Sequence, residues 1–125
     1  MTDLLFKNKT YQIRGACFEV YKQKGFGFLE SVYQEFLEIE FGLQGIPFEA
    51  QPRIRLDYNG HVLESEFVPD LICFGLIVVE LKALSELNDK HRAQVHNYLK
   101  ASAFRHGLLV NFCHFPNVEI ERIVR

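Results

Sequence analysis

Leu71 to Val79 is the longest apolar stretch of the chain without a charge, nine residues reading LICFGLIVV, and it runs straight into Glu80-Leu81-Lys82. Ile77, Val78 and Val79 are β-branched and follow Gly75, the pattern of a strand buried on both faces. Such a strand needs cover on both sides and so reads as the centre of a sheet. It also ends in two opposite charges. Residues i and i+2 of a strand share a face, which sets Glu80 and Lys82 side by side at the end of the most apolar element. Burying a pair of this kind costs desolvation that its attraction need not recover, so it suits a task better than it suits stability.

Upstream the periodicity is helical. Ile13, Ala16, Cys17 and Val20 predict a helix from about Lys9 to Lys24, and Leu29, Val32, Tyr33, Phe36 and Leu37 predict a second from about Leu29 to Phe41. From Pro47 the period becomes 2. Ile54, Leu56 and Tyr58 alternate with Arg53, Arg55 and Asp57, Asn59-Gly60 signals a tight hairpin, and Leu63, Ser65 and Phe67 return. With Asn59 and Gly60 as the loop, Leu56 faces Leu63, Arg55 faces Glu64 and Arg53 faces Glu66. Each charged pair is then worth roughly 0.2–1 kcal/mol. Asn88 or Asp89 caps a third helix through about Ser102, and strands near Leu108–Phe112 and Val118–Ile123 follow. The order ααβββαββ predicts an α/β domain of mixed α+β character over residues 1–125, a mixed central sheet flanked by helices.

Composition sets outer limits. With 48% apolar and 14% aromatic residues, 125 residues are enough to bury a core. The nine-residue apolar run is far short of the roughly 20 needed to span a bilayer, and the N-terminus lacks the apolar segment of a secretory signal, so a cytoplasmic protein without a membrane partner is expected. Cys17, Cys73 and Cys113 are odd in number and widely spaced, which predicts free thiols. Five histidines without an HExxH pattern make a zinc hydrolase a poor reading. The formal charge is −2, with five Lys/Arg against two Asp/Glu in residues 1–25, two against nine in 26–70 and seven against five in 71–125. No basic field covers the whole chain, so any nucleic-acid contact must be local.

Pro69-Asp70 precedes the Glu80-Leu81-Lys82 element by one hairpin. A two-residue turn at Phe74-Gly75 would put Asp70 on the wrong face, whereas a three-residue turn, Cys73-Phe74-Gly75, would set it opposite Val78 and diagonal to Glu80, with Gly75 in the left-handed third position. A bulge near Pro69 would have the same effect. Asp70, Glu80 and the backbone carbonyl of Leu81 then form an all-oxygen donor set suited to Mg2+, with Mn2+ as a substitute. Such an ion activates water and stabilises phosphate charge, and Lys82 is placed to position either.

Pro69-Asp70…Glu80-Leu81-Lys82 resembles the motif of the PD-(D/E)XK nuclease superfamily, whose members share a restriction-endonuclease-like core. Gly27-Phe28-Leu29-Glu30-Ser31-Val32-Tyr33 reads G-x-x-E-x-x-Y, similar to the signature of the GxxExxY proteins, a small bacterial family within that superfamily. Gln94 and Tyr98 match the Q-x-x-x-Y element of its exonuclease-like branch. The likeness extends through NYLK and GLLVNF. It implies that Glu30 adds an acidic metal ligand, directly or through water, and that Gln94 and Tyr98 join Asp70, Glu80 and Lys82 in the catalytic set. His91, Gln94 and Tyr98 share one helical stripe, which makes His91 a supporting candidate.

The resemblance implies a Mg2+-dependent phosphodiesterase acting on nucleic acid, DNA ahead of RNA. Lys90, Arg92 and Lys100, with Lys7, Lys9, Arg14, Lys22, Lys24 and Arg105, are candidates for phosphate contacts. The alternative is a non-catalytic interaction module that keeps the scaffold. A homodimer or protein partner would supply surface that so small a chain lacks.

Overall fold

The computed structural model describes residues 2–125, with side chains from Phe6 onward. Its order is α1 (Thr2–Lys24), α2 (Glu30–Gln44), β1 (Phe48–Ala50), β2 (Ile54–Tyr58), β3 (His61–Phe67), β4 (Leu71–Cys73), β5 (Ile77–Lys82), α3 (Asp89–Lys100), β6 (His106–Asn111) and β7 (Glu119–Val124). Strands β1-β4-β5-β6-β7 form one sheet and β2-β3 a separate hairpin. The apolar strand β5 is therefore central, as its sequence demands. It pairs antiparallel with β4 and parallel with β6, and α3 makes the crossover between the parallel strands. The fold is the mixed α/β, restriction-endonuclease-like one.

Alternation along β5 divides the core. Ile77, Val79 and Leu81 join Leu71, Cys73, Leu108 and Val110 beneath Ile13, Ala16 and Cys17 of α1 and Tyr33, Leu37 and Phe41 of α2. Val78 points the other way, with Ile72 and Leu109, to meet Val95 and Leu99 of α3 and Ile54, Leu56 and Phe67 of the hairpin. Glu80 and Lys82 continue the Val78 side of the alternation.

Four expectations change. Helix α1 begins well before Lys9, because Phe6 is buried against the His106 ring and the Thr10 hydroxyl donates back to the Phe6 carbonyl at 2.8 Å. The short strand β1, with no alternation to announce it, pairs with β4, the outer arm of the expected hairpin. The β2-β3 ladder starts as expected, Tyr58 opposite His61 and Asp57 opposite Val62, then shifts so that Arg55 faces Glu66. At this irregularity the Asp57 N–H donates to the Ala101 carbonyl at the end of α3, 3.1 Å away. The Arg55–Glu64 pair is thereby lost, while Arg53 still reaches Glu66 at 3.3 Å.

The fourth concerns the turn before β5. Cys73 pairs with Ile77, so the three loop residues are Phe74, Gly75 and Leu76, displaced by one from the expected Cys73–Gly75. Phe74 and Gly75 have φ of 58° and 65°, and the Leu76 N–H closes on the Cys73 carbonyl at 3.0 Å. The expected parity survives this displacement. Continuing the register one step beyond Leu71↔Val79 sets Asp70 across from Glu80 rather than across from Val78.

Among the described residues no helix is long and apolar enough to cross a membrane.

Candidate functional site

Beyond Val79, strand β5 loses its β4 partner and a side chain takes over. The Leu81 N–H donates to Asp70 Oδ2 at 2.7 Å, and the Asp70 N–H donates to Glu80 Oε1 at 3.1 Å. Each carboxylate is thus fixed through one oxygen by the other segment's backbone. The N–H and C=O of one strand residue leave by the same edge. The Leu81 carbonyl therefore emerges towards Asp70, beyond the last paired residues of β4. On the opposite edge the Lys82 carbonyl accepts from the Phe112 N–H at 2.9 Å.

The carboxylates are held above their ordinary ionisation range. Burial pushes Glu80 up to about 8, with the Asp70 and Glu30 charges adding to the rise and Lys82 and the Asp70 N–H opposing it. Asp70 is raised by burial, against the pull of the Leu81 N–H and Lys82. Glu30 is raised by desolvation and then by Asp70, with Lys82 again opposing. Three acids and one lysine therefore sense one another at the end of the central strands. The cluster is short of positive charge.

Helix α2 brings Glu30 there, and the G-x-x-E-x-x-Y spacing has a mechanical basis. Gly27 has φ of 111°, a conformation closed to residues with a Cβ. Leu29 is the extended N-cap, and Glu30 opens the helix. Tyr33 is fully buried and stacked on Phe112 with centroids 4.6 Å apart. Its hydroxyl donates to the Gly25 carbonyl at 2.6 Å and accepts from the Phe28 N–H at 3.3 Å, clasping the loop on both sides of Gly27. The Gly27 N–H also points to Cys113 Sγ at 3.4 Å. Glycine shapes the loop, tyrosine fastens it, and glutamate is delivered to the acidic group.

Gln34, which sequence reasoning passed over, stands one turn beyond Glu30. Its Nε2 donates to the Asp70 carbonyl at 3.0 Å and to Glu38 Oε2 at 3.0 Å. Asn111 was also passed over. It is fully buried beside Lys82, accepts the Leu84 N–H at 2.9 Å and donates to the Leu84 carbonyl at 2.8 Å, pinning the chain just beyond Lys82. The available signal was an asparagine in the otherwise apolar strand GLLVNF.

Helix α3 contributes less directly. Tyr98 stacks flat on Phe67 at 4.1 Å, and Gln94 is exposed one turn earlier. Among the described residues, no hydrogen bond joins either of them to Asp70, Glu80, Lys82 or Glu30. His91 serves the capping box at Asn88, accepting the Asn88 N–H on Nδ1 at 3.1 Å, which gives it a structural role. Arg92, expected at phosphate, has its guanidinium on Glu121 at 2.6 Å and Asp89 at 3.0 Å and ties α3 to β7. Lys90 and Lys100 are exposed on the same helix. Lys9 lies over the Phe74 ring and Lys24 over Phe36.

A mixed sheet whose central strand ends in a half-buried glutamate and a lysine, with an aspartate across from the glutamate, fits the restriction-endonuclease-like class. The family model described as the PD-(D/E)XK nuclease superfamily matches residues 7–123, and the chain belongs to that superfamily. The crystal structure of SSO0001 resembles it in fold, with a TM-score of 0.57 and 20% identity over 76% of this chain and 49% of that one. The chain thus spans about half the length of that protein. No curated protein matches the sequence.

Proposed function

We propose that the chain is a magnesium-dependent nuclease whose working groups are Asp70, Glu80, Lys82 and Glu30, supported by Gln94 and Tyr98. The observation that carries this reading is the mutual bracing of Asp70 and Glu80. Each offers one carboxylate oxygen to the other segment's backbone, and both are held in an environment short of positive charge.

The donors fit a hard divalent cation. Asp70, Glu80, the Leu81 carbonyl and Glu30 are all oxygen ligands, and the set contains no thiolate or imidazole. Among the described residues no three Asp, Glu, His or Cys side chains are grouped closely enough to hold a metal ion by themselves. Mg2+ needs only one or two carboxylates and keeps several waters, so an open site suits it better than it would suit a structural zinc. Mn2+ serves as a substitute. Bound there, the ion would supply water activation and neutralisation of phosphate charge.

The protein's own groups do the positioning. The Leu81 N–H fixes Asp70, Gln34 fixes the Asp70 backbone, and Asn111 anchors the loop beyond Lys82. Lys82 then orients the attacking water or a phosphate oxygen from the strand end. Gln94 and Tyr98 are assigned their supporting part by the resemblance alone, and on this reading a bound substrate would bring them into use.

Metal-dependent cleavage of single-stranded and duplex DNA, then of RNA, tests the reading. Asp70→Ala and Lys82→Ala should each lower cleavage by about a hundredfold or more, the size of effect associated with losing a positioned catalytic group. Unchanged cleavage in both variants would defeat the assignment, and binding without cleavage by the wild type would favour the non-catalytic module.

A further inference from the structure

Phe26, Phe28, Leu29 and Phe115 are 54%, 39%, 73% and 69% exposed, although each is large and apolar. They lie on two loops at the site end of the sheet. Phe26 meets Phe115 edge-on with centroids 5.3 Å apart, and Phe28 leans edge-on against Tyr33 and Phe36. From this arrangement, and resting on the nuclease reading above, we infer that the Phe26–Phe115 pair is a stacking platform for an unpaired nucleobase, so that the substrate class is single-stranded or frayed nucleic acid.

Three features favour a base over another occupant. The first is continuity with the acidic group. Phe28 and Leu29 directly precede Glu30, and Phe115 follows Phe112, whose N–H is bonded to the Lys82 carbonyl. A strand whose base rests on these rings can extend its backbone towards the end of the sheet that carries Asp70 and Lys82.

The second is rigidity. The Tyr33 hydroxyl holds Gly25 and Phe28, and Cys113 Sγ lies 3.4 Å from the Gly27 nitrogen and 3.6 Å from the Phe28 carbonyl oxygen. The loop backbone is thereby held so that the rings face solvent, and little conformational freedom remains to be lost when a base settles on them.

The third is charge. Lys22 and Lys24 are exposed on the last turn of α1, immediately before Phe26, where they suit the phosphates flanking a stacked base. The chain as a whole is −2, so phosphate contacts alone supply limited affinity. Aromatic stacking supplies the uncharged part of binding and accepts any base, because every base has a π-face. In a duplex those faces are already covered.

The test uses the full chain in Ca2+ with oligonucleotides carrying a fluorescent adenine analogue, comparing single strands with duplexes. Wild type should quench the analogue and bind the single strand more tightly. Phe26→Ala combined with Phe115→Ala should weaken single-strand binding by about tenfold or more and leave duplex binding unchanged. Phe115→Tyr should keep the affinity and Phe115→Leu should lose it, separating ring stacking from general apolar contact.

Unchanged single-strand affinity in the alanine variant, an equal loss for duplex, or no quenching by wild type would overturn the platform. Concentration-dependent self-association that disappears in the same variant would overturn it too, by showing that the rings face a second copy. Stacking that depends on the rings, without cleavage in Mg2+ or Mn2+, would uphold the platform and defeat the nuclease reading. Cleavage with ring-independent binding would do the reverse.

Discussion

Glu80 gathers, in one side chain, most of the tension in this molecule. Its carboxyl is pushed from the ordinary 4.5 to about 8, mainly by burial and then by Asp70. Between those values the unfolded chain ionises and the folded chain stays protonated, so folding takes up a proton. Stability contributed by this group therefore falls as pH rises from about 4.5 to 8 in the absence of metal. Glu80→Gln, which cannot ionise, should raise the melting temperature at pH 8 in chelator by roughly 4 °C or more, equivalent to ~1 kcal/mol, with little effect at pH 4. Thermal melts at the two pH values check this, and equal shifts at both would refute it. The same residue was legible from sequence, because a charge ending an apolar strand has no structural need. Gln34 was not legible, since its partner is a backbone carbonyl 36 residues away and nothing local signals such a bond.

Among the elements, α2 has the clearest division of labour. Its periodicity announced a helix and its motif announced Glu30, yet the purpose of Gly27 and Tyr33 emerged only with the loop they shape and clasp. Tyr33→Phe keeps the stack on Phe112 and removes both hydroxyl hydrogen bonds, one to Gly25 and one to Phe28. The fold should persist with a loss of about 1–2 kcal/mol. Metal affinity should fall more than that stability change implies, because Glu30 follows the loosened loop. Calorimetric titration with Mn2+ beside a denaturant melt would check it; a loss of stability with metal affinity intact would separate Tyr33 from the site. The β2-β3 hairpin shows the opposite limit. Its turn and first pairs follow from Asn59-Gly60, but the shift beyond Asp57 depends on the Ala101 carbonyl at the end of α3, a tertiary contact that strand periodicity does not encode.

Across the whole molecule the charge map limits how nucleic acid can be held. Arg92 is committed to Glu121 and Asp89, and the site itself is acidic, so few cations remain near it. With Lys22, Lys24 and Lys82 as the phosphate contacts, three in all, log affinity for a single strand should fall against log salt with a slope of about −2 (−0.7 × 3). Titrations between low and moderate salt measure it, and a slope steeper than about −5 would require a basic groove that this distribution of charge does not supply. The layered architecture itself was readable, because one strand apolar on both faces must have a layer on each. The one-residue displacement of the turn before β5 was not. Phe74 adopts a left-handed conformation usually left to glycine or asparagine, so the glycine rule picked the wrong position while keeping the right parity.

That parity leaves the Leu81 amide bonded to a carboxylate where a sheet would ordinarily supply a carbonyl. On the proposed reading, its proton is coupled to metal capture as well as to folding. Protonation of Asp70, or capture of its oxygen by a cation, alters the acceptor and leaves the strand in place. With the proposed cation bound, the resonance of this single backbone proton would gauge the site's occupancy, readable without substrate and without turnover.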